Sequence, residues 1–358
     1  MSMPERMMPH QQDGRFWNYP GELPKKLLLP SCLMYLKKLL RARASDKAQL
    51  EAWQLFNESL TLDTQLHDSP LLMPSPATSI TWIGHASFLL KVGSCSILTD
   101  PLFNNLTPLL PRYQAAGIAR NAVPAVDVVI ISHNHWDHLE KATVIYLAKK
   151  YNPVFLVPYG DKKTLIAWGI SRVHEHTWWD RYTHTKEHSE QKTTFTFLPA
   201  HHWSGRGLFD ANRSLWGSWM ISSDNYNCYF AGDTAYGAHF QAIAHEFPLI
   251  NTALMPIGPC EPNKYLSQSH INAEQAGQAF LELNAQHLIP MHWGTFGFGV
   301  DSPLAPLYRL EAWWQHAVMN SAKNLNLIPL RVGQQLSVES TTVSSQKIVP
   351  ASEAFAHL

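Results

Sequence analysis

The sequence predicts an α/β fold of αββα layering, a sandwich of two β-sheets with helices on its outer faces. Two observations carry that expectation. From residue 79 onward, short apolar runs bounded by turns recur in two groups, each followed by stretches with helical apolar spacing. Every His- or Asp-rich motif then falls where such a run ends, which is where a rigid scaffold hands over to loops that carry chemistry.

Residues 1 to about 75 differ in pattern from the rest and are expected to form an N-terminal helical extension, with helices over 31–44 and 46–60 among proline-punctuated stretches. Strands are predicted over 80–83, 87–92 and 96–99. Residues 126–132, VDVVIIS, read as an apolar strand and 139–151 as a helix, so the intervening HNHWDH lies on a strand-to-helix loop. Further strands are expected over 153–158 and 194–198, and a pair over 214–222 and 228–231. Helices over 237–247 and 272–283 alternate with strands over 252–257 and 287–291, and a last long helix falls within 306–320. The catalytic domain is expected to span 76–338, followed by a polar, flexible tail over 339–358.

Composition narrows the function. The 28 Lys and Arg balance 28 Asp and Glu, so no global basic field draws the chain to nucleic acid. Cys32, Cys95, Cys228 and Cys260 lack C-x-x-C spacing and read as free thiols of a reducing compartment, which points to the cytoplasm. The first 20 residues hold no uninterrupted apolar core, and about 18 apolar residues never run together, so neither a secretory signal nor a spanning segment is predicted. The 19 His are many for this length, and they cluster.

The densest cluster is His133-Asn134-His135-Trp136-Asp137-His138. Extended backbone sends residues i and i+2 to one side, so His133 and His135 can grip one cation, while the turn into the helix swings Asp137 and His138 toward a second. Imidazole with carboxylate suits zinc first, with iron or manganese as alternatives. Four ligands do not complete two sites. Three later strand ends supply more: His201-His202, Asp233 and His292. A carboxylate between two cations, with one further His for each, closes a binuclear centre.

Together these segments resemble the metallo-β-lactamase superfamily and, more narrowly, the N-acyl-phosphatidylethanolamine-hydrolysing phospholipase D family. The resemblance runs from GRFWNYP at Gly14 through TWIGHAS at 81–87, LTDP at 98–101, the H-x-H-x-D-H cluster, LWGSW at 215–219 and FAGDT at 230–234 to HWGTF at 292–296. It implies that His133, His135 and His202 hold one zinc, that Asp137, His138 and His292 hold the other, and that Asp233 bridges them. It selects His202 over His201 because His202 directly precedes Trp203. It makes Asp100 a carboxylate that orients a ligand histidine and places His270 near the scissile phosphate, with Asp137 and Asp233 as proton relays. His85, in the GHAS turn, reads as a buried, hydrogen-bonded structural residue. Two positions depart from the family: Asn263 stands where Arg is usual after Glu-Pro, and Ser269 where Gln precedes the histidine.

The implied enzyme is a binuclear, zinc-dependent phosphodiesterase that hydrolyses N-acyl-phosphatidylethanolamine to N-acylethanolamine and phosphatidic acid. A cytoplasmic lactonase or another phosphodiesterase of the superfamily is the alternative; an RNA-processing endonuclease would want a basic surface that the neutral charge balance does not supply. Expected partners are a phospholipid substrate and a membrane surface touched peripherally, with a homodimer allowed and no nucleic acid. Residues 23–43 supply the membrane expectation. Lys25, Lys26, Lys37, Lys38, Arg41 and Arg43 fall there without an acidic residue, interleaved with Leu33, Leu36 and Leu40 at helical spacing.

Overall fold

The computed structural model describes residues 6–18, 51, 53–55, 78–108, 110–187, 189–224, 226–318 and 325–338. The helix expected over 31–44 and the tail over 339–358 lie outside the described residues. Of the helix expected over 46–60, residues 51 and 53–55 are described, and they are helical.

A short hairpin, β1 (His10–Gln12) with β2 (Arg15–Trp17), opens the described chain and turns at Asp13-Gly14, both at positive φ. The first sheet begins as an antiparallel meander of β3 (Thr78–Gly84), β4 (Ser87–Val92) and β5 (Cys95–Thr99). It continues in parallel through β6 (Val128–Ile130), β7 (Val154–Pro158) and β8 (Val173–His176), with α1 (Lys141–Tyr151) and α2 (Lys162–Ala167) in the crossovers.

The second sheet runs in space as β15 (Asn326–Leu327), β14 (Ala285–Met291), β13 (Ile250–Pro256), β12 (Tyr226–Phe230), β11 (Ser218–Ser223), β10 (Lys192–Leu198) and β9 (Arg181–Thr185). Its helices are α3 (His239–Glu246), α4 (Asn263–Leu266), α5 (Ala273–Glu282) and α6 (Ala305–Ala317). The last strand, β16 (Gln335–Val338), returns to the first sheet and pairs antiparallel with β3. The layering is that of the predicted αββα sandwich.

Strand alternation explains the apolar runs. Ile97, Val128 and Ile130 point into the core shared by the two sheets, where they meet Phe195, Phe197, Trp219 and Ile221. Their neighbours Leu98, Val129 and Ile131 point the other way, into a second core under Leu147 of α1 and Leu165 of α2. A strand covered on both faces needs apolar residues at consecutive positions, hence VDVVIIS. The structure also departs from the expected elements: residues 214–217 approach β11 without being part of it, and the expected strands did not include β1, β2, β8, β9, β15 or β16. The residues around β1 and β2 are not peripheral. Phe16 and Trp53 are both buried in the inter-sheet core, and Trp53 meets Trp293 edge-on at 5.2 Å.

Candidate metal centre

Five strand ends converge at one edge of the sandwich. After β5, Asp100 sits at positive φ and reaches across to the loop after β6: its Oδ1 accepts from the Ser132 amide at 2.7 Å and its Oδ2 from the Ser132 hydroxyl at 2.5 Å. The same carboxylate accepts from His138 Nδ1 at 2.7 Å. His138 is thereby held with Nε2 toward Asp233 Oδ2, 3.3 Å away, and Asp137 Oδ2, 3.5 Å away.

The same device recurs twice. His202 Nδ1 donates to the Ser269 carbonyl at 2.7 Å, and His292 Nδ1 donates to the Gly258 carbonyl at 2.9 Å. An acceptor on Nδ1 fixes the ring, so each Nε2 faces inward, where a metal could take its lone pair in place of a proton. Two groups of donors result. In the first, His135 Nδ1 lies 2.8 Å from His133 Nε2 and 3.2 Å from His202 Nε2. In the second, Asp137, His138 and His292 gather with His85, their nearest donor atoms all within 4.8 Å of one another. Asp233 lies between them: Oδ1 is 3.1 Å from His292 Nε2, and Oδ2 is 3.8 Å from His202 Nε2 and 3.9 Å from His133 Nε2.

Electrostatics favours a cation here. Burial drives His133 and His202 well below the ordinary histidine range and His135 down to about 4, and the crowding of neighbouring imidazoles adds to the effect. Burial would also lower His138 and raise Asp233, yet their mutual attraction overrides it: His138 rises well above 6.5 and Asp233 falls well below 3.8. His138 Nε2, His292 Nε2 and Asp233 Oδ1 are buried and make no hydrogen bond among the described residues. Unsatisfied buried nitrogens around a buried carboxylate are costly alone, and divalent cations would satisfy them, so the residues fit the expected metals.

All the expected ligand positions are therefore brought together, and of the two adjacent histidines it is His202 that contributes a donor to these groups. His270 joins the edge of the centre, with Nδ1 3.7 Å from Asp233 Oδ2 and its ring 5.3 Å from that of His202. Ser269 is buried and acts through its carbonyl, which any residue at that position would supply; Asn263 is exposed at the start of α4.

Two residues gain parts in the site that sequence reasoning had not given them. Asn18 clamps His202 from both sides, accepting from its amide and donating to its carbonyl at 3.0 Å each. His85 is buried and hydrogen-bonded as expected, but its partner is Asp137 Oδ2 at 3.1 Å. The GHAS turn was the one visible signal for His85, and GRFWNYP for Asn18.

Comparison with known proteins agrees with this geometry. The family described as the Beta-lactamase superfamily domain matches residues 96–293. An uncharacterized protein of Mycobacterium tuberculosis is 33% identical over 65% of this chain and 63% of its own length. The mitochondrial N-acyl-phosphatidylethanolamine-hydrolyzing phospholipase D of Saccharomyces cerevisiae is 33% identical over 64% of this chain and 50% of its own length. The chain thus spans between half and two thirds of the length of these two relatives. A metallo hydrolase of Ignicoccus hospitalis shares the fold, with a TM-score of 0.55 at 21% identity over 73% of this chain and 98% of that one. The chain belongs to the metallo-β-lactamase superfamily.

Proposed function

We propose that the chain is a two-zinc phosphodiesterase of phospholipase D type, hydrolysing N-acyl-phosphatidylethanolamine to N-acylethanolamine and phosphatidic acid at a membrane surface. The observation that carries the reading is the pair of donor groups meeting on Asp233, a carboxylate placed to serve both. Similarity to the yeast phospholipase D supports the substrate class. Paired divalent cations would lower the pKa of a water at the site and neutralise charge on the phosphoryl oxygens, so no protein nucleophile is required.

The residues then divide the work. Asp233 sets the spacing between the two donor groups. Asp137, hydrogen-bonded to His85 and with its side chain 16% exposed, would take the proton of the attacking water. Burial pushes His270 down to about 4, so its ring is neutral near pH 7; it serves as a hydrogen-bond donor to the leaving oxygen or as a proton acceptor. The phosphorus–oxygen bond to the ethanolamine breaks as the bond to water forms, and the leaving oxygen takes the proton that Asp137 removed from the water and departs as the alcohol.

Elemental analysis of protein never exposed to chelator is expected to give two zinc per chain. The purified protein should hydrolyse both bis-p-nitrophenyl phosphate and N-acyl-phosphatidylethanolamine. Turnover of a lactone panel with neither phosphodiester cleaved would replace the proposed activity with the lactonase reading.

A further inference from the structure

We infer that His85 is a positioning residue for the second metal position: it holds Asp137, and without it the Asp137–His138–His292 group loses affinity for its ion while the His133–His135–His202 group does not. The inference rests on the two-metal reading above and concerns a residue that reading leaves without a role.

The backbone of His85 is fixed in an uncommon state. Its φ is +57°, in the left-handed region that β-carbon sterics disfavour for residues other than glycine, least so for Asn, Asp and His. Three hydrogen bonds hold it there. Its amide donates to Thr295 Oγ1 at 2.7 Å, and its carbonyl accepts from Trp82 Nε1 at 3.0 Å and from the His292 amide at 3.2 Å. Two of those partners lie in the HWGTF segment that also supplies His292. The turn between β3 and β4 is thus bolted to the strand end that presents a second-group ligand. Strain of this kind persists where surrounding structure over-determines it, and it clusters at functional sites.

The strained backbone aims the imidazole inward. His85 Nε2 lies 3.1 Å from Asp137 Oδ2, and its ring lies 4.1 Å from that of His292 and 5.0 Å from that of His138. Asp137 needs such a partner. Its other imidazole neighbours stand farther off, His138 Nε2 at 3.5 Å and His292 Nε2 at 4.0 Å from the same Oδ2, and it rises from a loop whose neighbour Trp136 is exposed. A hydrogen bond to one carboxylate oxygen sets the direction of the group, and loss of an outer partner of this kind commonly costs 10- to 100-fold in metal affinity. Nothing in the first donor group touches His85: His133 is held by Ser132, His202 by Asn18 and Ser269, and the His135 ring packs against Trp203 at 4.1 Å.

The test is a metal titration of apo-protein against a chromophoric chelator, with Co²⁺ absorption as a second readout. His85→Asn removes the ring but tolerates the left-handed backbone; His85→Gly removes ring and strain together and guards against misfolding of the first variant. Wild type is expected to bind two ions. Both variants should keep the first ion with unchanged affinity, bind the second roughly 10- to 100-fold more weakly, and lose the cobalt absorption of the second position, while apo-protein melting stays within a few degrees of wild type. Two ions bound by the variants as tightly as by wild type would overturn the inference and leave the two-metal reading intact. Equal weakening of both positions would show a merely structural role. Wild type binding a single ion would overturn both.

Discussion

At the scale of single residues, what separates a ligand from its neighbour is which ring nitrogen is spoken for. His202 gives Nδ1 to the Ser269 carbonyl and presents Nε2 to the centre, while the adjacent His201 contributes no donor to either group. His202→Ala is therefore expected to lose the first ion and to cut hydrolysis by roughly 100-fold or more, whereas His201→Ala retains most of both. Metal analysis beside steady-state rates decides it, and equal losses would show that the register is wrong. A second prediction concerns Asp161, wholly buried before α2, where its Oδ1 accepts from the Asn134 amide at 2.9 Å. Burial pushes its carboxyl up to about 7, against the lowering effect of hydrogen bonds from Ser214 and Asn134. A carboxyl with a folded pKa above its unfolded value of 3.8 binds its proton more tightly when folded. Its contribution is thus most favourable below about pH 4, declines through pH 4–7, and is a full penalty above about 7. Asp161→Asn keeps an acceptor for Asn134 and removes the titration. At pH 8 the variant should be more stable than wild type by up to about 4 kcal/mol, the gap closing toward pH 4. A gap independent of pH in denaturant unfolding would refute the assignment.

At the scale of elements, the centre exists because strand ends from both sheets are held at contact distance. Gly232, between β12 and Asp233, sits at φ +59°, and a β-carbon there would come within 2.5 Å of Ser132 Cβ at the end of the facing sheet. Gly232→Ala should therefore cost at least about 2 kcal/mol, from left-handed strain and overpacking together, and should weaken both metal positions because Ser132 leads into His133 and Gly232 into Asp233. Denaturant unfolding of the apo-protein and a metal titration check the two halves; normal metal binding with normal stability would sink it. The elements that carry this contact were legible because each is a local pattern: VDVVIIS is apolar at consecutive positions since β6 is covered on both faces, and the ligands cluster within six residues or stand at strand ends. What could not be read is what long-range pairing decides. The edge strands β8 (VHEH) and β9 (RYTHT) keep polar residues because an edge faces water, and β16 earns its place only by pairing with β3. His85 and Asp137 are 52 residues apart, and Asn18 and His202 are 184 apart, so no local spacing announces either contact.

At the scale of the whole molecule, two of the contacts that anchor the stretch before residue 75 to the rest of the chain lie beside metal ligands. Asn18 grips the backbone of His202, and Trp53 packs on Trp293, the neighbour of His292. Gly294, at φ +61°, leaves the room that Trp53 fills. The residues between these anchors include 23–43, which lie outside the described residues and carry six basic side chains and no acidic one in a chain whose 28 cationic and 28 anionic side chains cancel. Their charge is therefore a local property, tethered at both ends next to the centre. Among the described residues no helix is long and apolar enough to cross a membrane. Each basic residue close to an anionic bilayer contributes roughly 1 kcal/mol, and half of six would hold the enzyme beside its substrate. Replacing Lys37, Lys38, Arg41 and Arg43 together by Gln is thus expected to abolish co-sedimentation with phosphatidylserine-containing vesicles, which for wild type should weaken as salt rises. Hydrolysis of bis-p-nitrophenyl phosphate, a soluble diester that needs no surface, should be unchanged in the same variant, while cleavage of vesicle-borne N-acyl-phosphatidylethanolamine falls with binding. Vesicle binding equal to wild type would refute the docking role, and loss of soluble turnover alongside binding would show that the stretch supports the centre through its anchors instead.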